Sequence, residues 1–355
     1  LRTQNVVDAY ASGPFELFGR QHQLVAGIDY SRQRNRYLYS SSILSPAQIG
    51  DWNSWNGDVA EPDWPAWALS SEDTIRQKSG YAAARFSLAD PLSLIVGARY
   101  TQYSAHGTSA DMEKNNLTPY GGLVYDINEN YSAFASYTSI FQPQTYRNQQ
   151  GNYLKPVTGK DYEAGIKGDW DNSRITASLS VFRIEQDNLG QIQSDTYVNN
   201  SSENAYRASK GVVSRGVDFE INGAVTDNLK VTFGATRYVA KDADGDRTNP
   251  YMPQTSLKLF TSYNLPFMPD LTVGGGINWQ NRTYKEATNP SGATERVYQG
   301  SYPLANLFAR YQVTKELSLQ GNIKNLFDRE YNTNPSGGVA FNEPRNYSVS
   351  VNYSF

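Results

Sequence analysis

The sequence predicts an all-β protein, and more specifically a transmembrane antiparallel β-barrel. Three observations lead to this fold class: a polar composition that is rich in aromatic residues, an alternation of apolar and polar residues, and connections of alternating length. Of the 355 residues, 13% are aromatic and 26 are tyrosine, while the mean hydropathy is -0.61. A barrel strand shows lipid only one of its two faces, so a polar average with many aromatic residues fits such a wall.

Period-two alternation marks the predicted strands. In the last of them, Tyr347, Val349, Val351, Tyr353 and Phe355 lie on one side, and Asn346, Ser348, Ser350, Asn352 and Ser354 lie on the other. The same alternation recurs in Leu271–Gln280, Val217–Gly223 and Asp161–Trp170. The apolar sides end repeatedly in Tyr or Trp, as an aromatic girdle at a bilayer boundary requires, and the charged sides would face a wet lumen.

The connections between these strands alternate in length. Short turns are predicted near Ala89–Pro91, Asn128–Asn130, Asp171–Ser173, Thr226–Asn228 and Thr314–Glu316. Long polar stretches lie near Gln33–Asp73, Gln142–Gly159, Leu189–Lys210, Tyr284–Gly300 and Asp328–Pro344. Short periplasmic turns on one rim and long extracellular loops on the other are typical of outer-membrane barrels. No linker is visible, so residues 1–355 are predicted to be one barrel domain.

The number of predicted strands is about fifteen, each near the length that crosses a tilted bilayer. The first, about Gln4–Ser12, runs toward a short turn and so enters from outside. Bacterial single-chain barrels have even strand numbers, and an open edge in lipid would leave backbone groups unpaired. We therefore expect further strands before Leu1 in the complete barrel, with this chain as its C-terminal portion.

Several other functional classes are disfavoured by the sequence. The chain has no cysteine and a net charge of -3, which argues against disulfides and against a nucleic-acid partner. No nucleophile elbow or acid–base pair is visible, so no enzyme is predicted. His22, close to a turn, and His106, in a predicted loop, are both expected to be solvated. The glycines Gly274–Gly276 interrupt an alternating strand, which favours close packing against a neighbour.

One acidic segment superficially resembles the start of a calcium-binding loop. It contains Asp242, Asp244, Gly245 and Asp246. A calcium loop of this kind places its glycine after three spaced ligands and a glutamate at the twelfth position. Here the glycine comes too early and the twelfth residue is Pro253, so an exposed loop is the better interpretation.

Several segments together resemble the TonB-dependent outer-membrane receptors. The run Asn325–Tyr331, which reads Asn-Leu-Phe-Asp-Arg-Glu-Tyr, is similar to the signature that ends the penultimate strand in that family. Pro344–Phe355 resembles the final strand with its terminal aromatic residue. Gly159–Lys167, Ser214–Glu220 and Ser136–Gln144 resemble further recurrent strands in the same order. The segment Ser12–Arg20 and the tryptophan-bearing loop after it look like the ferric-siderophore branch, with the coprogen/rhodotorulate and pyoverdine receptors as the nearest likenesses.

The resemblance implies a multi-pass protein of the bacterial outer membrane, with a barrel of 22 strands and an N-terminal plug. The strands here would be the last fifteen or so, while the plug and the first strands would lie outside this sequence. The implied partners are a ferric siderophore, the TonB complex acting through the plug, and outer-membrane lipid or lipopolysaccharide, with a monomer expected. A passive substrate-selective porin remains the alternative, followed by an outer-membrane enzyme or adhesin. The order and number of receptor-like segments favour uptake.

The best candidate for siderophore recognition is the loop Gln33–Asp73. It carries six aromatic candidates: Tyr37, Tyr39, Trp52, Trp55, Trp64 and Trp67. A ferric siderophore already satisfies its iron internally, so we expect no cofactor and no protein metal ligand, and the receptor need only bind the organic shell. Aromatic rings supply rigid apolar area with a polar tip. Alternatively, these rings pack a compact loop against itself.

Two later loops carry a second set of candidates. Tyr146 and Arg147 follow Gln144, and Tyr206 with Arg207 repeats the pair in Leu189–Lys210. A guanidinium beside an aromatic ring could meet anionic or carbonyl oxygens of a ligand. The alternative for each pair is an exposed loop without a binding role.

Overall fold

The computed structural model of the chain describes residues 1–40, 54, 58, 61, 63–208, 211–288, 291–333 and 340–355. Within these residues the protein is built from strands, with one short 3-10 turn at Val198–Asn200. No helix in the described ranges is long and apolar enough to cross a membrane. The all-β prediction is therefore confirmed.

The strands, in chain order, have the following bounds: β1 Arg2–Leu17, β2 Arg20–Tyr39, β3 Ala68–Ala89, β4 Leu92–Gly107, β5 Asp111–Asp126, β6 Tyr131–Gln142, β7 Val157–Trp170, β8 Ile175–Asp187, β9 Gly190–Tyr197, β10 Asn204–Ala208, β11 Val212–Ala224, β12 Leu229–Asp242, β13 Thr255–Asn264, β14 Leu271–Gln280, β15 Thr283–Thr288, β16 Thr294–Gln299, β17 Tyr302–Gln312, β18 Leu317–Lys324 and β19 Asn346–Tyr353. The first strand is longer at both ends than the predicted Gln4–Ser12.

Fifteen of these strands form a single antiparallel sheet in the order β1-β2-β3-β4-β5-β6-β7-β8-β11-β12-β13-β14-β17-β18-β19. Each strand pairs with the next one of the sheet along the chain, as in an up-and-down meander. The strands β9 and β10 form one separate hairpin, and β15 and β16 form another. The predicted number of about fifteen wall strands is confirmed.

The connections alternate between the two rims as predicted, with corrections. Each predicted short turn is present, the turn expected after the first strand lies at Phe18–Gly19, and one unpredicted turn lies at Leu265–Asp270. On the long-loop rim, the β4–β5 connection contains only Thr108–Ala110. The prediction of a loop over Gln33–Asp73 was wrong at both ends, because β2 continues to Tyr39 and β3 begins at Ala68. Cross-strand pairing stabilises these polar strand ends, which show no apolar alternation of their own.

The two faces of the sheet differ in polarity. On β2, the apolar side chains of Leu24, Ile28 and Tyr30 share one face, which we call the outer face. Asp29 lies on the opposite, inner face, since successive side chains of a strand point to opposite sides. Ile28 is 67% exposed and Val181, on the same outer face of β8, is 58% exposed. Large apolar side chains left open to this degree require an apolar surrounding.

The inner face carries a polar network on β2, β3 and β4. The Arg99 guanidinium donates to Asp29 Oδ2 at 2.5 Å and to Ser79 Oγ at 3.0 Å. The Tyr81 hydroxyl of β3 donates to Asp8 of β1 at 3.5 Å, which extends the network to a fourth strand. Sequence analysis did not identify these partners. Side chains that satisfy each other in this way fit the wet lumen that was predicted for the polar side.

The packing predicted for the triple glycine is confirmed. A Cβ atom on Gly275 would lie 2.5 Å from the backbone oxygen of Asn306 on β17, and one on Gly274 would meet the Phe308 ring and the Thr261 carbonyl. These positions of β14 therefore lie against both neighbouring strands, and only glycine fits there without a shift of the backbone.

The predictions for the two histidines were wrong in part. His22 is 5% exposed and lies between the rings of Phe15 and Phe86, with centroid distances of 5.2 and 5.4 Å. Its Nδ1 accepts the Ser87 N–H at 3.0 Å, so Nε2 donates to the Leu17 carbonyl at 3.0 Å. The His22 ring is therefore buried between the end of β1 next to the turn and the adjacent strand β3. His106 is exposed as predicted, but it belongs to β4, where Nδ1 lies 2.6 Å from Asp111.

Candidate ligand-binding site

The first group of predicted site residues lies at the tip of the β2–β3 connection. Tyr37 and Tyr39 belong to β2, whereas Trp64 and Trp67 directly precede β3. Their side chains are 67%, 50%, 59% and 71% exposed, in that order. Alternation along β2 from Asp29 places Tyr37 on the inner face, whereas Tyr39 follows a register shift in the pairing of β2 with β3 after Tyr37. The group therefore offers open aromatic area at the mouth of the wall.

Local hydrogen bonds fix the chain around the two tryptophans. The Trp64 indole N–H donates to Glu61 Oε1 at 3.3 Å, and the Ser40 hydroxyl donates to the Pro65 carbonyl at 2.6 Å. Among the described residues, Trp64 and Trp67 remain exposed. Trp52 and Trp55 lie outside the described residues.

The second group brings Tyr146, Arg147 and Tyr206 together from two separate loops. The rings of Tyr146 and Tyr206 stack with a centroid distance of 4.2 Å and an interplanar angle of 21°. The Arg147 guanidinium forms an ion pair with Glu203, in which Nε lies 3.1 Å from Oε1. That hydrogen bond raises the pKa of the Arg147 guanidinium, so this residue stays charged. Sequence analysis missed Glu203, which is far from Arg147 along the chain.

Backbone hydrogen bonds explain why these residues meet. The Tyr206 N–H donates to the Arg147 carbonyl at 2.8 Å, and the Asn199 N–H donates to the Gln149 carbonyl at 2.9 Å. The β9–β10 hairpin is thereby attached to the β6–β7 loop, and we call these two segments, residues 143–156 and 188–208, the aromatic lobe. Of the two predicted Tyr–Arg pairs, Arg147 is engaged by Glu203, whereas Arg207 is exposed.

The aromatic lobe is anchored to the β4–β5 tip through Tyr153. Its hydroxyl accepts the Asp111 N–H at 2.9 Å, and its ring packs against the buried cluster of Ala105, Ala110 and Met112. Ala105 shares the inner face of β4 with Arg99 by alternation. The lobe therefore leans over the inner face of the wall, on the same rim as the first group. Between the described residues of the two groups, no hydrogen bond, ion pair or ring contact is present.

A third aromatic feature, which sequence analysis did not single out, is the β15–β16 hairpin. Arg296 lies 4.8 Å from the ring centroid of Tyr284, and Arg282 lies 4.7 Å from that of Tyr298. The hydrogen bond to Glu286 raises the pKa of the Arg296 guanidinium. In the sequence, Arg282 and Tyr284 are two positions apart, and so are Arg296 and Tyr298. This repeated spacing could have indicated the cation–π contacts of the hairpin.

The functional groups on the long-loop rim are suited to binding a ligand. They are exposed rings, guanidinium donors and backbone amides, which suit the organic shell of a ligand. Asp242, in the acidic segment, turns its carboxylate onto its own loop, where Oδ1 accepts the N–H groups of Asp244 and Asp246 at 3.1 and 2.9 Å. Within the described part of the chain, no group of three acidic or histidine side chains is arranged to hold a metal ion.

An antiparallel wall with an apolar outer face, a polar inner face and elaborate loops on one rim is typical of an outer-membrane β-barrel. A family model, the TonB dependent receptor-like β-barrel, matches residues 2–326. The chain thus belongs to the TonB-dependent receptor β-barrel family, and the resemblance noted in the sequence is confirmed.

Individual relatives agree with this assignment. The chain is 37% identical to the ferric-pyoverdine BN7/BN8 receptor of Pseudomonas putida, with 99% of this chain and 44% of the relative covered. It is 34% identical to the ferripyoverdine receptor of Pseudomonas aeruginosa, with the same shares covered. The crystal structure of the outer-membrane ferripyoverdine receptor of P. aeruginosa bound to ferripyoverdine superposes with a TM-score of 0.88 at 33% identity, over 100% of this chain and 48% of that one. The chain spans about half the length of these relatives.

Proposed function

We propose that this chain serves, as the barrel portion of a bacterial outer-membrane receptor, to bind a ferric siderophore at its extracellular rim for uptake energised by the TonB complex. Family membership supports a receptor over the passive porin that the sequence left open. The relatives with the highest identity quoted above are named as receptors for ferric pyoverdine. A pyoverdine-type siderophore is therefore the proposed substrate class.

The observation that carries the proposal is the pair of aromatic groups on the long-loop rim. The open rings of Tyr37, Tyr39, Trp64 and Trp67 lie on one side, and the aromatic lobe with its charged Arg147 lies over the inner face. Rings would cover the flat apolar parts of the organic shell, and the Arg147 N–H groups that are not engaged by Glu203 would meet its oxygen atoms. Iron would arrive chelated, so no protein ligand, cofactor or catalytic step is part of the proposal.

The proposed direction of transport follows from the two rims. The long loops would face the exterior and the short turns the periplasm. The TonB complex would act through a plug domain, as the family resemblance implies, and the polar inner wall would surround that plug.

The test replaces Trp64 and Trp67 together by alanine and measures ferripyoverdine affinity on purified receptor by fluorescence titration. Two lost aromatic contacts of about 0.5–1.5 kcal/mol each predict affinity weaker by about tenfold or more. Trp170→Ala is the matched control, because Trp170 makes an edge-to-face contact with Tyr131 at the opposite rim. Unchanged affinity in the double variant would remove the first group from the site, and no affinity of the wild type for any ferric siderophore would contradict the proposed function.

A further inference from the structure

The chain between β12 and β13 returns to the wall through residues 247–254, which lie against residues 281–284 at the start of the β15–β16 hairpin. The Tyr284 N–H donates to the Pro250 carbonyl at 3.1 Å. The Arg247 guanidinium lies over the Tyr284 ring, with its Cζ 5.6 Å from the ring centroid. A backbone hydrogen bond and a cation–π contact thus hold these two segments together on the long-loop rim.

Buried polar atoms without a hydrogen-bond partner are concentrated at this contact. Most buried polar atoms in proteins are hydrogen-bonded, so each exception requires an explanation. Among the described residues, eight buried side-chain atoms have no partner, and five of them belong to these two segments: Arg247 Nε, Arg247 Nη2, Thr248 Oγ1, Gln254 Nε2 and Thr283 Oγ1. Thr283 is 1% exposed. The three nitrogens are donors and the two hydroxyls also carry a proton, so the contact has several donors and lacks acceptors.

The unpartnered edge of the Arg247 guanidinium has the geometry that binds a carboxylate. Nε and Nη2 lie on one edge, and their N–H groups are parallel, as in the forked pairing of arginine with carboxylates. Both atoms are shielded from solvent, and a buried charged group without a partner is destabilising. This arrangement is therefore less stable than one in which a carboxylate binds the same edge.

No carboxylate of the described chain neutralises Arg247. Asp242, in the acidic segment just before it, accepts backbone N–H groups of its own loop. Within the described residues, no ion pair involves Arg247. By contrast, Arg296, which lies against the same Tyr284 ring, is paired with Glu286 at 3.2 Å. The missing acceptor for Arg247 must then come from a ligand.

We propose that Arg247 binds a carboxylate carried by the ligand, and that the β15–β16 hairpin shifts to admit it. The Tyr284 ring covers one face of the guanidinium, so the hairpin has to move before the buried edge becomes accessible. The carboxylate supplies acceptors that the closed arrangement lacks, and this difference in binding favours the shifted hairpin. The inference rests on the proposed function and deepens it, because the site would select acidic over neutral members of the proposed substrate class.

The test measures the affinity of the purified receptor for two forms of ferripyoverdine by fluorescence titration. One form has a free side-chain carboxylate, and in the other this carboxylate is converted into the amide. The wild type should bind the carboxylate form about tenfold or more tightly, as expected for a hydrogen-bonded charge pair. Arg247→Gln should bind both forms equally, with the affinity for the amide form unchanged. Arg247→Lys keeps the charge without the fork and should retain only part of the preference.

Lys241→Gln is the matched control, because Lys241 lies opposite Arg247 in a β-bridge and is exposed. It removes the same charge without touching the buried edge and should keep the full preference. Equal affinity of the wild type for both forms would overturn the inference and leave the proposed function intact. A preference that persists in Arg247→Gln would overturn the assignment to Arg247. Binding of neither form would instead contradict the proposed function.

Hydrogen–deuterium exchange with mass spectrometry tests the movement of the hairpin. The Tyr284 amide, which donates to Pro250, should lose protection when the carboxylate form binds and keep it when the amide form binds. Unchanged protection with both forms would overturn the proposed shift. Acetate at the same concentration should have no effect, and an equal loss of protection with acetate would overturn the ligand-borne carboxylate in favour of a free-anion site.

Discussion

Asn325 closes the connection between β18 and β19. It is 8% exposed and adopts a left-handed backbone conformation with φ of 51°, which Asn tolerates better than most residues. Its Nδ2 donates to the carbonyls of Arg329 at 3.0 Å and Glu343 at 3.2 Å, and its Oδ1 accepts the Arg329 N–H at 2.8 Å. Asp328 accepts the Arg345 N–H at 2.7 Å in the same connection. Two polar residues of the signature-like run, Asn325 and Asp328, thus bind the backbone of the loop.

Replacing Asn325 by alanine should lower the free energy of unfolding by about 2–3 kcal/mol, because buried backbone groups lose their partners. Urea unfolding of the purified receptor, followed by the gel shift between folded and unfolded forms, measures the change. Asn278→Ala is the control, since Asn278 is exposed on the inner face and surface substitutions of this kind change stability by less than about 0.5 kcal/mol. Equal midpoints for the two variants would show that the signature has no structural role.

The strands were predictable from the sequence because their two faces meet different surroundings. Alternation of Leu271, Val273 and Ile277 with polar or small residues sufficed for β14. The hairpin β9–β10 was missed, because Gly190–Tyr197 is polar on both sides and shows no such pattern. Its strands are fixed by the loop that they contact. The same reason explains why Tyr146 and Arg147 could be named as candidates while Glu203 and Tyr153 could not: long-range contacts between polar loops leave no local periodicity.

The aromatic lobe should behave as one element because two segments share its hydrogen bonds. We expect Tyr206→Ala to loosen the attachment of the hairpin, since stacked rings contribute about 0.5–1.5 kcal/mol in addition to their buried area. The Asn199 amide, which donates to Gln149, should then exchange its hydrogen about tenfold faster. Hydrogen–deuterium exchange with mass spectrometry gives this rate.

The control for that experiment is Tyr298→Ala, which removes a ring from the other hairpin, where Tyr298 lies 5.7 Å from Tyr284. Exchange at Asn199 should not change in this variant. If Tyr206→Ala also leaves exchange unchanged, the stack does not hold the aromatic lobe together, and the ion pair between Arg147 and Glu203 would be the next candidate. That pair is partly exposed, so it is expected to contribute less than about 1 kcal/mol.

For the whole molecule, the apolar outer face requires lipid and the polar inner face requires water, which together place the wall in a membrane. Two adjacent residues of β8 show the contrast. Leu179 is 50% exposed and is flanked by Ile166 and Phe219 on the outer face, whereas Ser178 is flanked by Lys167 and Glu220 on the inner face. The side chains differ by one position along the strand and meet opposite surroundings. The sequence predicted this division directly, because lipid and water select alternate residues.

Arginine at position 179 should destabilise the intact wall much more than arginine at position 178. Leu179→Arg would place a charge in lipid and should destabilise the barrel by about 2–4 kcal/mol if Leu179 lies near the bilayer midplane. Ser178→Arg would meet water and the Glu220 carboxylate, and should change stability by less than about 1 kcal/mol. Reversible unfolding of the receptor in lipid vesicles compares the two variants with the wild type. Similar losses for both would mean that the outer face does not contact lipid, and the membrane placement of the wall would have to be abandoned.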